Sequence, residues 1–202
     1  MKTKLIVCDL DGVILNSREN MKVSWNIVKK KFNLNVNFEN YFMKIGKPFQ
    51  SILKDLNIRT NNELIEKTYH NASIEYEENI KFYSGAIETL KILEKKNILL
   101  AICTSKNFER TNRILEKIKI NFNSINCPSP DLKGKPYPDQ LINAVNHANV
   151  NLNQTIYIGD TVIDMQTAKN AEVEFIYASY GYGNIINSNK SISKFNQILK
   201  FI

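Results

Sequence analysis

The chain has little of what marks a disulfide-stapled, zinc-binding or membrane protein. Of its 202 residues three are cysteine, Cys8, Cys103 and Cys127, an odd number at wide spacings. They make neither a disulfide framework nor a zinc pattern. Cys8 and Cys103 lie in apolar runs, where a thiol behaves as a small buried hydrophobe. No apolar run is long enough to span a bilayer. The opening Met1-Lys2-Thr3-Lys4 leads straight into a short strand-like run, wrongly built for a signal peptide. The expected location is the cytoplasm, with no membrane partner. The two histidines, His70 and His147, both fall in segments of helical period, and neither is assigned a catalytic role. A basic stripe interleaved with aromatics is also missing. The net charge is +7, but the lysines are scattered through a chain rich in Lys, Asn and Ile. Nucleic-acid binding is therefore not expected.

What is present fits one large or two small soluble domains, with 43% hydrophobic and 23% charged residues. Short β-rich apolar runs occur at Leu5–Cys8, Ile98–Cys103, Ile156–Ile158 and Glu174–Ala178, with a weaker one at Ser124–Cys127. Between them Ala86–Lys95, Phe108–Ile118, Pro138–Ala148 and Met165–Asn170 have helical period. The alternation predicts an α/β fold, a Rossmann-like parallel sheet with helices on both faces. The segment 16–81 interrupts it. That segment reads as wholly helical, over Met21–Phe32, Asn37–Lys44, Phe49–Leu56 and Asn62–Glu78, and predicts an inserted all-helical cap domain. The core is then 1–15 with 82–202. The tail Ser191–Ile202 reads as a terminal amphipathic helix with Ile192, Phe195, Ile198, Leu199 and Ile202 facing inward.

The first strand ends in an unusual way. In KLIVCDLDGVILNS the apolar run Leu5–Cys8 is followed by Asp9 and Asp11, two residues apart and so on one face of an extended chain. Burying two like charges that close costs several kcal/mol each unless something neutralises them. Solvation at a strand end is the plain explanation. A bound cation and substrate is the sharper one. Thr104-Ser105 follows the run LLAIC, Lys135-Pro136-Tyr137-Pro138 sits in a Gly- and Pro-containing loop, and Gly159-Asp160-Thr161-Val162-Ile163-Asp164 follows TIYI. Ligands of parallel sheets bind outside the carboxyl ends of the strands, where Asp9, Thr104 and Asp160 all fall. Each feature has a structural alternative. Thr104-Ser105 would serve as a helix N-cap, and Asp160 and Asp164 would favour a helix start.

Taken together these residues resemble the haloacid dehalogenase-like hydrolase superfamily, in its phosphoglycolate phosphatase-like branch with a helical cap. The resemblance spans nearly the whole chain, through YSGAIETLKILEKKN, GKPYPDQLINAV and YIGDTVIDMQTAKNAEV. It implies a Mg²⁺-dependent phosphatase acting on a small phosphorylated metabolite. Asp9 would be the nucleophile. Asp11 would be the general acid and base, keeping a proton because nearby like charges raise its pKa. Asp9, Asp160 and the backbone carbonyl of Asp11 would hold the metal. Thr104, with the Ser105 N–H, would bind a phosphoryl oxygen. Lys135 would offset the phosphate charge, with Lys133 as its competitor two residues away. Asp164 would hold a metal-bound water or Lys135.

Two departures keep other readings open. Val13 stands where the family usually has threonine, as in β-phosphoglucomutases, so a mutase is the second reading. Met21, however, occupies the position of those mutases' cap-hinge histidine, which favours hydrolysis. The third reading is a catalytically silent binding module, against which every charged site position is occupied. The loop Ile45-Gly46-Lys47-Pro48-Phe49 resembles the cap loop that reaches the active site, and there Lys47 would meet a carboxylate or hydroxyl of the substrate. Arg18, Lys106 and Asn107 are further candidates for contact, whereas Trp25 and Phe49 read as core.

Overall fold

The computed structural model describes residues 2–186 and 188–202. In chain order it contains β1 (Leu5–Cys8), β2 (Leu15–Asn16), α1 (Arg18–Lys31), α2 (Phe38–Phe42), α3 (Phe49–Asp55) and α4 (Asn62–Glu75). There follow β3 (Lys81–Phe82), α5 (Ala86–Lys95), β4 (Leu99–Cys103), α6 (Phe108–Leu115), β5 (Ser124–Asn126) and α7 (Asp139–Ala148). The chain ends with β6 (Thr155–Gly159), α8 (Val162–Asn170), β7 (Glu174–Ala178), β8 (Ser191–Ile192) and a 3₁₀ segment, Phe195–Phe201.

The main sheet runs β5-β4-β1-β6-β7-β8, and every pairing in it is parallel. β1 lies in its middle, with Leu5 opposite both Leu99 and Thr155. Strand alternation explains why LIVC has no polar residue. Ile6 and Cys8 join one apolar layer with Leu90, Ile102, Ile158 and Phe195. Leu5 and Val7 join the other, with Leu141, Val145 and Tyr157. The chain is therefore α/β, a parallel sheet covered on both faces. The order β4-β1-β6 sets the residues that follow these three strands side by side.

Between β2 and β3 the four helices build a separate apolar cluster. Trp25 is fully buried there, stacked on Tyr41 with ring centroids 4.3 Å apart, and donates from Nε1 to the Val36 carbonyl at 3.1 Å. Phe49 and Tyr69 pack beside them, at 4.7 Å.

The structure differs from expectation in two places. Segment 16–81 does carry strand residues, because Asn16 and Lys81 pair across the antiparallel ribbon β2–β3 through which the chain enters and leaves the helices. The tail is not one helix. Ser191 and Ile192 add to the edge of β7, where Ser179 N donates to the Ile192 carbonyl at 2.9 Å. Lys194 is extended at φ −151°, and only then does the 3₁₀ segment start. Backbone pairing at an open sheet edge outweighs helical period over so short a stretch. Ile192, Phe195 and Ile198 are buried, while Leu199 and Ile202 are only partly so.

Candidate active site

Asp9 leaves the end of β1 with its N–H donating to the Ile158 carbonyl at 2.8 Å, so its side chain is fixed between β4 and β6. Lys135 is wholly buried and reaches it from the loop before α7, with Nζ 2.9 Å from Asp9 Oδ1 and 2.5 Å from Asp164 Oδ1. Apart from this ion pair, Asp9 Oδ1 has no other partner. Lys133 is exposed, its ammonium over the Tyr137 ring, and takes no part.

Asp164 is held from three sides. Tyr157 OH donates to Oδ1 at 2.7 Å, while the Thr161 hydroxyl and N–H donate to Oδ2 at 2.6 and 3.0 Å. The last contact is half of a capping box that starts α8. One carboxylate thus caps a helix and anchors the buried lysine. Burial pushes its pKa up, but Lys135 and the hydroxyl donors outweigh that and hold it below the ordinary value.

Asp160 follows β6 and accepts from Tyr182 N at 2.6 Å through Oδ2, while its Oδ1 is buried without a partner. Glycines press around it. A Cβ on Gly12, at φ +87°, would lie 2.0 Å from Asp160 Oδ2, and one on Gly181 would lie 2.3 Å from Asp160 Cβ. Oxygens of Asp9, Asp160 and Asp164 lie within 4.8 Å of one another. Burial, then the neighbouring Asp164 and Asp9 charges, push the Asp160 carboxyl well above its usual value. Burial raises Asp9 to about 7 against the pull of Lys135. Three clustered carboxylates in one buried pocket, with Asp160 Oδ1 left without a partner, form a donor set that suits a hard divalent cation.

Asp11 corrects the sequence reading. Its nearest charge is not a carboxylate but Lys106, whose Nζ lies 3.0 Å from Oδ2, and Ser17 Oγ donates to Oδ1 at 2.6 Å. Burial alone would raise its pKa, yet Lys106, the Ser17 bond and Arg110 together lower it. The two aspartates tolerate each other because each has its own buried lysine.

Thr104 is buried after β4, and its hydroxyl accepts from Lys106 N at 3.2 Å, which leaves its own hydrogen free. The N-cap of α6 is Asn107, whose Oδ1 accepts from Arg110 N, so neither Thr104 nor Ser105 caps that helix. Ser105 Oγ donates to the Gly46 carbonyl at 2.7 Å, joining the loop after β4 to the helical cap. Lys47 borders the same cavity, but its ammonium is paired with Asp55 at 2.5 Å. Arg18 is exposed and paired with Glu39. Together Asp9, Asp11, Thr104, Ser105, Lys106 and Arg110 face a cavity of about 250 Å³ roofed by the 45–50 loop and α4. Arg110 and Tyr182 carry no local sequence signal. Tyr182 lies in the loop after β7, where its N–H holds Asp160 and its hydroxyl accepts from Ser17 N at 2.6 Å.

The model of the haloacid dehalogenase-like hydrolases matches residues 6–178. The chain belongs to that family. A phosphoglycolate phosphatase from Agrobacterium fabrum is 26% identical over 194 residues, covering 90% of this chain and 82% of its own length. Pyrophosphatase PpaX from Halalkalibacterium halodurans is 25% identical over 183 residues, covering 89% and 85%. A haloacid dehalogenase-like family hydrolase from Streptococcus pneumoniae shares the fold with a TM-score of 0.85 at 18% identity, over 98% of both chains. This chain is accordingly an enzyme of the hydrolase type. Among the described residues no helix is long and apolar enough to cross a membrane.

Proposed function

We propose that this hydrolase is a Mg²⁺-dependent cytoplasmic phosphatase that cleaves a small phosphorylated metabolite through a phosphoryl group carried on Asp9. The observation that carries the reading is the buried, unpartnered Asp160 Oδ1, set among three close carboxylates of which Asp9 has only Lys135 as its counter-charge. The names of the relatives support it, and the three free, buried cysteines agree with a reducing compartment. On this reading residues 1–15 and 82–202 form the catalytic core, and 16–81 form the cap that closes over it.

Asp9 and Asp160, with the Asp11 carbonyl, would hold the Mg²⁺, and Asp164 would position Lys135 beside them. The ion supplies neutralisation of the phosphoryl oxygens. Asp9 attacks phosphorus, the bond to the leaving oxygen breaks, and that oxygen takes a proton from Asp11. Water then attacks the same phosphorus, gives its proton to Asp11, and frees phosphate with Asp9 restored. Lys135 and the Thr104 hydroxyl steady the phosphoryl oxygens throughout. Asp11 begins ionised because Lys106 holds it so. A substrate dianion that draws Lys106 to itself loosens that hold, and Asp11 takes up from solvent the proton it later donates. The mutase reading loses ground at Met21, a buried thioether with no proton to move.

Phosphate release from a panel of small phosphate esters and pyrophosphate, with Mg²⁺ and with EDTA, tests the proposal. Release that needs Mg²⁺ supports it. Folded, metal-supplied protein that releases none from the whole panel refutes it.

A further inference from the structure

Arg110 is a cation without an anion. It stands on α6, is only 6% exposed, and lines the cavity above Asp9 and Asp11. Among the described residues no carboxylate lies within ion-pairing distance of its guanidinium, whereas Lys106 and Lys135 have theirs. Its Nε and Nη2 donate to Ser73 Oγ at 3.1 and 2.7 Å, and its carbon lies 5.4 Å from the centre of the Tyr69 ring. Ser73 gives its own hydrogen to Asn20 Oδ1 at 2.7 Å, and the Asn20 amide is held by the Ser73 and Tyr76 carbonyls. A neutral, fully engaged network therefore fixes the side chain and leaves three of its five N–H donors unspent.

The carboxylates of the rest of the wall are engaged elsewhere, Asp11 being paired with Lys106 at 3.0 Å. Glu66 is turned to Gln50 and to His70 Nε2, the latter at 3.7 Å. His70 is kept neutral near pH 7, since burial, then Arg110 and Lys106, bring it down to about 4. Burying a charge with no partner is costly, and a planar, fixed guanidinium suits a carboxylate or phosphate. The cavity of about 250 Å³ has room only for a small molecule.

We propose that Arg110 is the specificity-determining residue of this site, receiving a second anionic group, a carboxylate or second phosphoryl, on the leaving-group side of the substrate. The reaction in this statement rests on the phosphatase reading above, while the selectivity rests on Arg110.

The test compares 2-phosphoglycolate with 2-hydroxyethyl phosphate, which keeps the phosphate but has a neutral hydroxymethyl in place of the carboxylate, and runs pyrophosphate alongside to separate the two kinds of anion. Both turnover and calorimetric binding are read. Wild type is expected to favour 2-phosphoglycolate, the substrate with the extra carboxylate, by about tenfold or more in kcat/KM and in affinity. Pyrophosphate in place of the acid as the favoured ligand would assign the second group as phosphoryl. Arg110→Gln is expected to lower the acid-to-neutral ratio by about 10- to 100-fold, and Arg110→Lys to restore part of it. A purely structural clamp would lower both substrates together and leave the ratio unchanged, which overturns the proposal. So does a wild type that prefers neither anion, a result that needs no variant to fold. Selective binding without any turnover would keep the subsite and remove the phosphatase reading instead.

Discussion

Lys106 Nζ lies 3.0 Å from Asp11 Oδ2, while Lys135 Nζ lies 2.9 Å from Asp9 Oδ1. Two neighbouring aspartates are thus divided between two buried lysines. Asp11 is held below the ordinary carboxyl value, while burial leaves Asp9 above it.

Lys106→Met separates these effects. In wild type the lowered pKa of Asp11 contributes stability that is present above its unfolded value of 3.8 and lost as pH falls through the folded value. Without Lys106, burial is the largest influence left and raises that pKa. The variant is then destabilised by a few kcal/mol near pH 7, and the difference shrinks on acidification to about pH 4. Urea unfolding of metal-free protein at the two pH values reads this directly. A loss independent of pH would mean that Lys106 contributes only packing.

Asp9 gives the opposite sign. Its folded pKa of about 7 lies above the unfolded 3.8, so it carries no penalty below pH 3.8 and a growing one between 3.8 and 7. Mg²⁺ needs the ionised carboxylates and should offset that penalty. Thermal unfolding is expected to show Mg²⁺ raising the midpoint by a few degrees at about pH 8 and clearly less at about pH 5. Asp160→Asn should remove the effect. Equal shifts at both pH values would count against binding at these carboxylates.

Gly12→Ala should be severe. The new Cβ would stand 2.0 Å from Asp160 Oδ2 at φ +87°, so Asp160 must move. Activity should fall about 10²-fold or more, since small displacements of reacting groups cost that much, and the Mg²⁺-induced rise in melting midpoint should vanish with it. A variant with wild-type activity would show that Asp160 is not needed where it stands.

Tyr182→Phe removes the hydroxyl that accepts from Ser17 N, and Ser17 in turn orients Asp11. A buried N–H left unpaired costs about 1–3 kcal/mol. Denaturant unfolding should show a loss in that range. No change would mean that the Ser17 N–H does not depend on the Tyr182 hydroxyl.

These residues differ in how legible they are in the sequence. Asp9, Thr104 and Asp160 are readable because each follows an uninterrupted apolar run, and a parallel sheet gathers the ends of its strands. Lys135 is separable from Lys133 by the Pro-x-Pro that follows it, and only Lys135 is buried. The charge state of Asp11 is not readable in that way. It depends on Lys106 turning back from the β4 loop, a three-dimensional arrangement that spacing does not encode. Arg110 and Tyr182 are hidden for the same reason, one on an amphipathic helix and the other in an irregular loop. The tail misleads because period alone cannot weigh a free sheet edge against a helix.

A phosphoryl group carried on Asp9 can be trapped by acid quenching during turnover. Enzyme stopped while hydrolysing its best substrate with Mg²⁺ is digested, and the peptides are examined by mass spectrometry before and after borohydride reduction. The expected result is a phosphoryl adduct on the peptide holding Asp9, reduced to homoserine at that position, with Asp9→Asn forming none and losing on the order of 10³-fold or more in turnover. An adduct on another residue, or undiminished hydrolysis by Asp9→Asn, would contradict it.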